Sequence, residues 1–211
     1  MRTRRLLATV LVSAVGCGGL VGAAALAASE PTAIKDAGLY LASPSKDGSE
    51  PATPVKLRGT MAQMHPKGIA KTMLLMGHSK PTLGLQLSGE KAEVRATTGS
   101  PAFSFYLPPS QGNGMDDMMR VMSGDAPPPQ ARSGAEFVLI RLHPKDGGRE
   151  AEVGQQKGQH TKDTLQSSSE SLGNSLYRVS PKEPLPPGEY AFYWGEQGFS
   201  GIVWDFGVGQ P

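Results

Sequence analysis

From residue 55 onward the chain is cut into short apolar or alternating runs, most of them bounded by glycine, proline, aspartate or serine. The runs cover residues 55–60, 69–76, 82–87, 92–96, 102–107, 136–142, 150–153, 176–179, 190–194 and 202–208. Strand side chains alternate between faces, so runs of this length with turn residues between them predict strands. No long helical period separates them, which argues against a parallel βαβ sheet and predicts an all-β sandwich or barrel. Phe137-Val138-Leu139-Ile140 followed by Lys145-Asp146-Gly147-Gly148 predicts a hairpin, because glycine adopts the positive φ such a turn needs. One segment departs from this pattern. Met115, Met118, Met119 and Met122 recur at i, i+3, i+4 and i+7, which predicts a short helix over 114–124 inside a long inter-strand excursion. The ordinary expectation for such a stripe is a face packed on the sandwich. Residues 155–175 are rich in Gln, Ser and Thr and predict a loop or a poorly covered edge strand.

Eight of the 13 aromatic residues lie at or beyond Tyr177, so the C-terminal segment is expected to anchor the core. Tyr190, Phe192 and Trp194 share one face of a strand, and Ile202, Trp204, Phe206 and Val208 share one face of the next. Asp205 falls on the face opposite Trp204 and Phe206 and is expected at solvent or a sheet edge. The entry into the first of these strands, Leu185-Pro186-Pro187-Gly188-Glu189-Tyr190, resembles the tyrosine corner of immunoglobulin-like and fibronectin-type sandwiches. The resemblance implies that Tyr190 begins the penultimate strand, that its hydroxyl bonds back to nearby backbone, and that Tyr190, Trp204 and Phe206 are structural. The run Gly-Glu-Tyr followed by Trp-Asp-Phe-Gly-Val also resembles the C-terminal end of uncharacterised exported bacterial proteins, which implies no activity.

The N-terminus predicts export. Arg2, Arg4 and Arg5 precede an apolar run, and Ala25-Leu26-Ala27 fits the small-x-small pattern of a signal-peptidase site, with cleavage before Ala28. A retained membrane anchor fits less well, because the second half of the apolar stretch is rich in Gly and Ala. Ala14-Val15-Gly16-Cys17 offers a further alternative, a loose bacterial lipobox that would lipidate Cys17. In neither case does the single cysteine remain in the folded part, which excludes thiol catalysis, intrachain disulfides and Cys-ligated zinc there. Export also changes the charge. The whole chain is +2, but without its first 27 residues 18 Lys and Arg face 19 Asp and Glu, a net −1. With no Lys/Arg-rich run, the footprint of a nucleic-acid binder is missing.

Candidate chemistry is sparse. Met76-Gly77-His78-Ser79-Lys80-Pro81 looks like a nucleophile elbow, but Pro81 stands where that elbow needs a small residue and a strand follows in place of a helix. The histidines His65, His78, His143 and His160 show no metal-pair spacing and are expected at exposed loop or strand-end positions. Asp116 and Asp117 are adjacent and point apart on a helix, so both are expected in solvent. Residues 195–201, with Trp194, Glu196, Gln197 and Phe199, are the candidate contact site: a hairpin tip able to present aromatics to a sugar or peptide. All eight methionines beyond the initiator fall between positions 61 and 122. Thioether sulfur suits Cu(I), so Met61, Met64, His65, Met115, Met118, Met119 and Met122 form an alternative copper-binding set, with Met73, Met76 and His78 in a further cluster.

These observations predict a signal peptide over 1–27, a tether over 28–54 carrying at most one edge strand, and an immunoglobulin-like antiparallel β-sandwich over 55–209 with a short helical insertion. The functional expectation is a non-enzymatic binding or structural module of the periplasm, cell envelope or secreted space. It needs no cofactor, and its partner is an unidentified protein, peptide or glycan. It meets no nucleic acid, and meets a membrane only through its signal or a lipid anchor. The alternative is an envelope copper-binding protein using the Met and His clusters. Intact mass of the mature protein decides the N-terminus: a chain starting at Ala28 is expected, and an acylated chain starting at Cys17 would replace it with the lipoprotein.

Overall fold

The computed structural model of the protein describes residues 34–42, 53–67, 82–109, 114–156, 158–195 and 201–209. The predicted signal, Cys17 and the run at 69–76 lie outside the described residues. Among the described residues the chain is all-β with a single α-helix. The first seven strands are β1 (Gly38–Ala42), β2 (Val55–Lys56), β3 (Gly59–Met61), β4 (Gln63–Lys67), β5 (Thr82–Ser88), β6 (Arg95–Ala96) and β7 (Ala102–Tyr106). After helix α1 (Gly114–Met122) come β8 (Phe137–Lys145), β9 (Gly148–Gly154), β10 (Thr164–Leu165), β11 (Ser167–Gly173), β12 (Leu176–Pro181), β13 (Gly188–Trp194) and β14 (Ile202–Val208).

One sheet runs β11-β12-β7-β1-β2, the other β3-β14-β13-β8-β9-β5-β4. Every pairing is antiparallel except β6 beside β14. The first sheet packs on β8, β13 and β14 of the second, and rigid aromatics fill the space between. Phe103 and Phe105 of β7 meet Phe192 edge-on at 4.9 and 5.1 Å, and Phe103 meets Phe206 at 4.7 Å. Leu39, Leu41, Leu139, Val179, Tyr190 and Trp204 complete this core. Each well-placed aromatic pair adds about 0.5–1.5 kcal/mol beyond its buried area. Tyr190 enters β13 with its hydroxyl donating to the Pro186 carbonyl at 2.6 Å, the backbone bond that the Leu-x-Pro-Gly-x-Tyr run predicts.

β3 and β4 stand at opposite ends of the second sheet, yet only Ala62 separates them in sequence. They are one bent strand, pairing with β14 through Gly59–Met61 and with β5 through Gln63–Lys67. At the bend the Ala62 N–H donates to the Gly201 carbonyl at 2.8 Å. The sheet therefore closes into a small barrel and has no free edge on that side. Its interior is a second core of Ala62, Leu85, Leu87, Ile140, Leu142, Ala151, Val153, Ala191, Tyr193 and Val203. β8 and β9 are joined by a tight turn in which Asp146 and Gly147 both have positive φ, as the Lys-Asp-Gly-Gly run predicts. Beyond that turn the two strands splay, and residues 161–165 fill the gap. Asp163, 5% exposed, accepts the Glu152 N–H at 2.7 Å and meets His143 Nε2 at 2.9 Å, while its carbonyl accepts the Arg141 N–H.

The structure corrects two expectations. Asp205 is not at solvent: it faces the barrel end, where its carboxylate accepts from Arg149 Nη1 at 2.7 Å. The sandwich also begins before Val55, because β1 lies between β7 and β2 with Leu39 and Leu41 buried in the core. Only one short apolar patch marks β1 in sequence, and two-residue β2 is enough to take it off the edge. In the second half of 155–175 the poorly covered edge strand expected there is formed by β11, exposed and rich in serine.

Burial of Asp205 and Glu189 beside apolar neighbours requires compensation. Arg149 reaches both carboxylates, Arg95 Nη1 donates to Glu189 at 2.7 Å, and the Ala92 N–H donates to Glu189 Oε2 at 2.7 Å. Arg149 also donates to the Gly89 and Ser88 carbonyls, so its guanidinium is held on several sides. Removing this arginine leaves two carboxylates in a closed barrel end. Arg149→Met is expected to cost about 3–5 kcal/mol of unfolding free energy in a denaturant titration, and Asp205→Asn in the same chain should restore part of it. A loss below about 1 kcal/mol would mean the cluster is solvated.

Candidate functional site

Of the side chains predicted to form the hairpin-tip site, Trp194 alone lies among the described residues. Trp194 is buried in the aromatic core, and its indole N–H donates to Glu136 Oε2 at 2.8 Å. Glu136 ends a 3-10 turn, Gly134–Glu136, and its other oxygen accepts the Arg132 N–H at 3.0 Å. The indole is thus held in the core and not presented at a surface tip. Glu196, Gln197 and Phe199 lie outside the described residues, as do Met73, Met76 and the His78-Ser79 elbow. His143 is a strut against Asp163, and His160 is exposed.

The methionines hold a different surprise. Met61, Met64, Met115, Met118, Met119 and Met122 are each between 50% and 75% exposed, and among the described residues no methionine is buried. Methionine is ordinarily among the most buried residue types. The expected packing of the helical stripe on the sandwich is therefore reversed. α1 starts with Asp116 and Asp117 in its first turn and has Arg120 in its last, charges that suit its dipole. Val121, on the side away from the methionines, is the residue that packs against the core. That inner side borders a cleft of about 530 Å³, lined in part by Asp36, Tyr106, Asp116, Arg120 and Pro128.

The helix is bolted down at its C-terminal end. The Gly124 N–H donates to the Val121 carbonyl and the Ser123 N–H to the Met119 carbonyl, with Gly124 at φ +76°. Gly124 lies against Gly59 of β3, whose N–H donates to the Gly124 carbonyl at 2.8 Å. A β-carbon on Gly124 would come within 2.0 Å of the Gly59 carbonyl oxygen, so no side chain fits there. Beside this anchor, the Ser123 hydroxyl donates to Asp125 and, with Arg58, Lys56 and Arg120 nearby, holds that carboxyl below its usual range.

Two and five residues beyond Gly59, Met61 and Met64 converge on Gly201. A β-carbon there would lie 3.5 Å from the Met61 sulfur and 3.8 Å from the Met64 terminal methyl. His65 does not join them. Adjacent strand residues face opposite ways, and Met64 pairs with Leu85 while His65 pairs with Gly84. The imidazole lies across Gly84, where a β-carbon would stand 2.2 Å from Nε2. The predicted Met/His set thus resolves into the α1 stripe, a Met61–Met64 pair at Gly201 and a histidine turned across Gly84. Sequence patterning located the helix and its stripe but not the side of the helix turned to solvent.

No match is found. Neither a family model, nor a curated protein, nor a solved structure matches the chain. The site is read from its own geometry alone.

Trp194 and Trp204 are both buried, so tryptophan emission is expected to be blue-shifted from that of the free amino acid and weakly quenched by acrylamide. In Trp204→Phe the remaining Trp194 should behave the same way; strong quenching would return it to an exposed tip.

Proposed function

We propose that the chain is an exported, non-enzymatic binding module built on an immunoglobulin-like sandwich, and that its contact surface is the methionine face of α1 with the adjoining β3–β4 bend. The strand order supports the sandwich assignment. β1, β7, β12 and β11 follow the A, B, E and D order of such a domain, β8, β13 and β14 follow C, F and G, and Tyr190 stands at the E–F corner. On this reading β9 continues from C as an added strand, and β3–β4 with β5 is an insertion between A and B that closes the barrel.

The observation that carries the functional part is the sorting of methionine. The core is built from Leu, Phe, Val, Ile, Trp, Tyr and Ala, while every described methionine stands in water. Exposed methionine contributes little to stability, and a flexible, polarisable side chain suits a contact surface. The non-enzymatic part rests on the buried polar groups, which are engaged in struts. Arg149, Glu189 and Asp205 pair with one another, and Asp163 ties β8 to β9.

Two measurements test this reading. Replacing Met115, Met118, Met119 and Met122 together by Gln, a comparable helix former, should leave Tm within about 4 °C, the shift that roughly 1 kcal/mol produces in a domain of this size. A larger drop would make the stripe structural. Dilute hydrogen peroxide should oxidise these thioethers several-fold more slowly in the producing cells than in the purified protein, read by peptide mass spectrometry. Equal rates would mean that nothing covers the face.

A further inference from the structure

We infer that the ligand of this face is Cu(I), held by thioether sulfurs of α1. The inference rests on the binding-surface reading above and names its ligand. The donor chemistry comes first. Among the described residues no three His, Cys, Asp or Glu side chains gather into a metal-holding group, and His65 is turned away from the methionines. The donors on the surface are therefore uncharged sulfurs. Soft thioethers favour Cu(I), whereas Zn2+ and Ca2+ select imidazole, thiolate or carboxylate.

Geometry comes second. Met115, Met118, Met119 and Met122 fall within an arc of about 100° on a helix turning 100° per residue. Residues three and four apart have β-carbons about 5–6 Å apart, and each methionine adds three rotatable bonds. Met118 and Met119 can thus meet either Met115 or Met122 around one ion, giving three sulfurs with the fourth in reserve. Exposure of 59–75% leaves these side chains free to turn inward on an ion without disturbing the core. The Gly124–Gly59 contact fixes the helix end, so the sulfurs are presented from a held element. Met61 and Met64 offer only two sulfurs at Gly201 and form a separate pair.

The test uses the mature protein and Cu(I) itself, generated with ascorbate under nitrogen and buffered by the chromophoric chelator bicinchoninate. Wild type is expected to withdraw one Cu(I) per chain, as is Met61→Leu/Met64→Leu. The variant with all four α1 methionines changed to Leu should withdraw none while keeping its near-UV circular dichroism. X-ray absorption of the loaded protein should show a first shell of sulfur alone. Absence of transfer to wild type, equal transfer to the α1 variant, or a nitrogen or oxygen first shell would each overturn the inference. If Cu(I) fails while the methionines stay protected in cells, the copper assignment falls and the contact surface stands. A large Tm loss in the Gln variant, or no protection in cells, removes the surface itself.

Discussion

Burial of β13 and β14 on both faces is the constraint on which the rest of the fold depends. Tyr190, Phe192 and Trp194 face the sandwich core, while Ala191 and Tyr193 face the barrel core; in β14, Trp204 and Phe206 alternate with Val203 in the same way. A strand covered on both sides cannot keep the apolar–polar alternation of a half-exposed one. That is why β13 reads as an almost unbroken apolar run. It also means that a one-residue register slip would exchange the contents of two cores, so the hairpin is specified from both sides at once.

The same wall dictates where charge goes. Glu189 and Asp205 sit on barrel-facing positions at its end, and no solvent face is left to take them. Arg149 of β9 and Arg95 of β6 close over them, so the charges link β9, β13 and β14 with β6. At the other end of the barrel Tyr193 is pushed to a raised phenol pKa by burial, partly offset by a backbone hydrogen bond with Gly154. Buried ion clusters are weak sources of net stability, but they penalise wrong pairings heavily. Their role in this fold is to fix how the closing strands meet the wall.

Legibility in the sequence followed how local the determining interaction is. The tyrosine corner, the Asp146-Gly147 turn and the methionine period of α1 are each written within about ten positions of sequence, and all three could be read in advance. The barrel could not, because its closure depends on Ala62 meeting Gly201 across 139 positions of chain. Asp205 was misplaced for the same reason: alternation identifies a second face without saying whether another sheet covers it. Trp194 was misread as a tip residue because its clamp, Glu136, is 58 positions away. For the candidate site, the methionine period was visible, whereas its direction depended on Val121 and the Gly124–Gly59 anchor, a tertiary fact.

Those two facts together bear on why the methionines stand where they do. A helix of nine residues is too short to hold itself together in water, so its contacts must supply the stability. α1 obtains them from Val121, from the glycine contact at its end and from bonds closing residues 123–126 onto its last turn. None of these involves a methionine side chain. If stability alone shaped the segment, a Met-to-polar change at four exposed positions would be neutral, and charged residues would serve solubility better. On the proposed reading, the helix secures itself with one face and keeps the other, with its four thioethers, for a ligand that meets sulfur from outside.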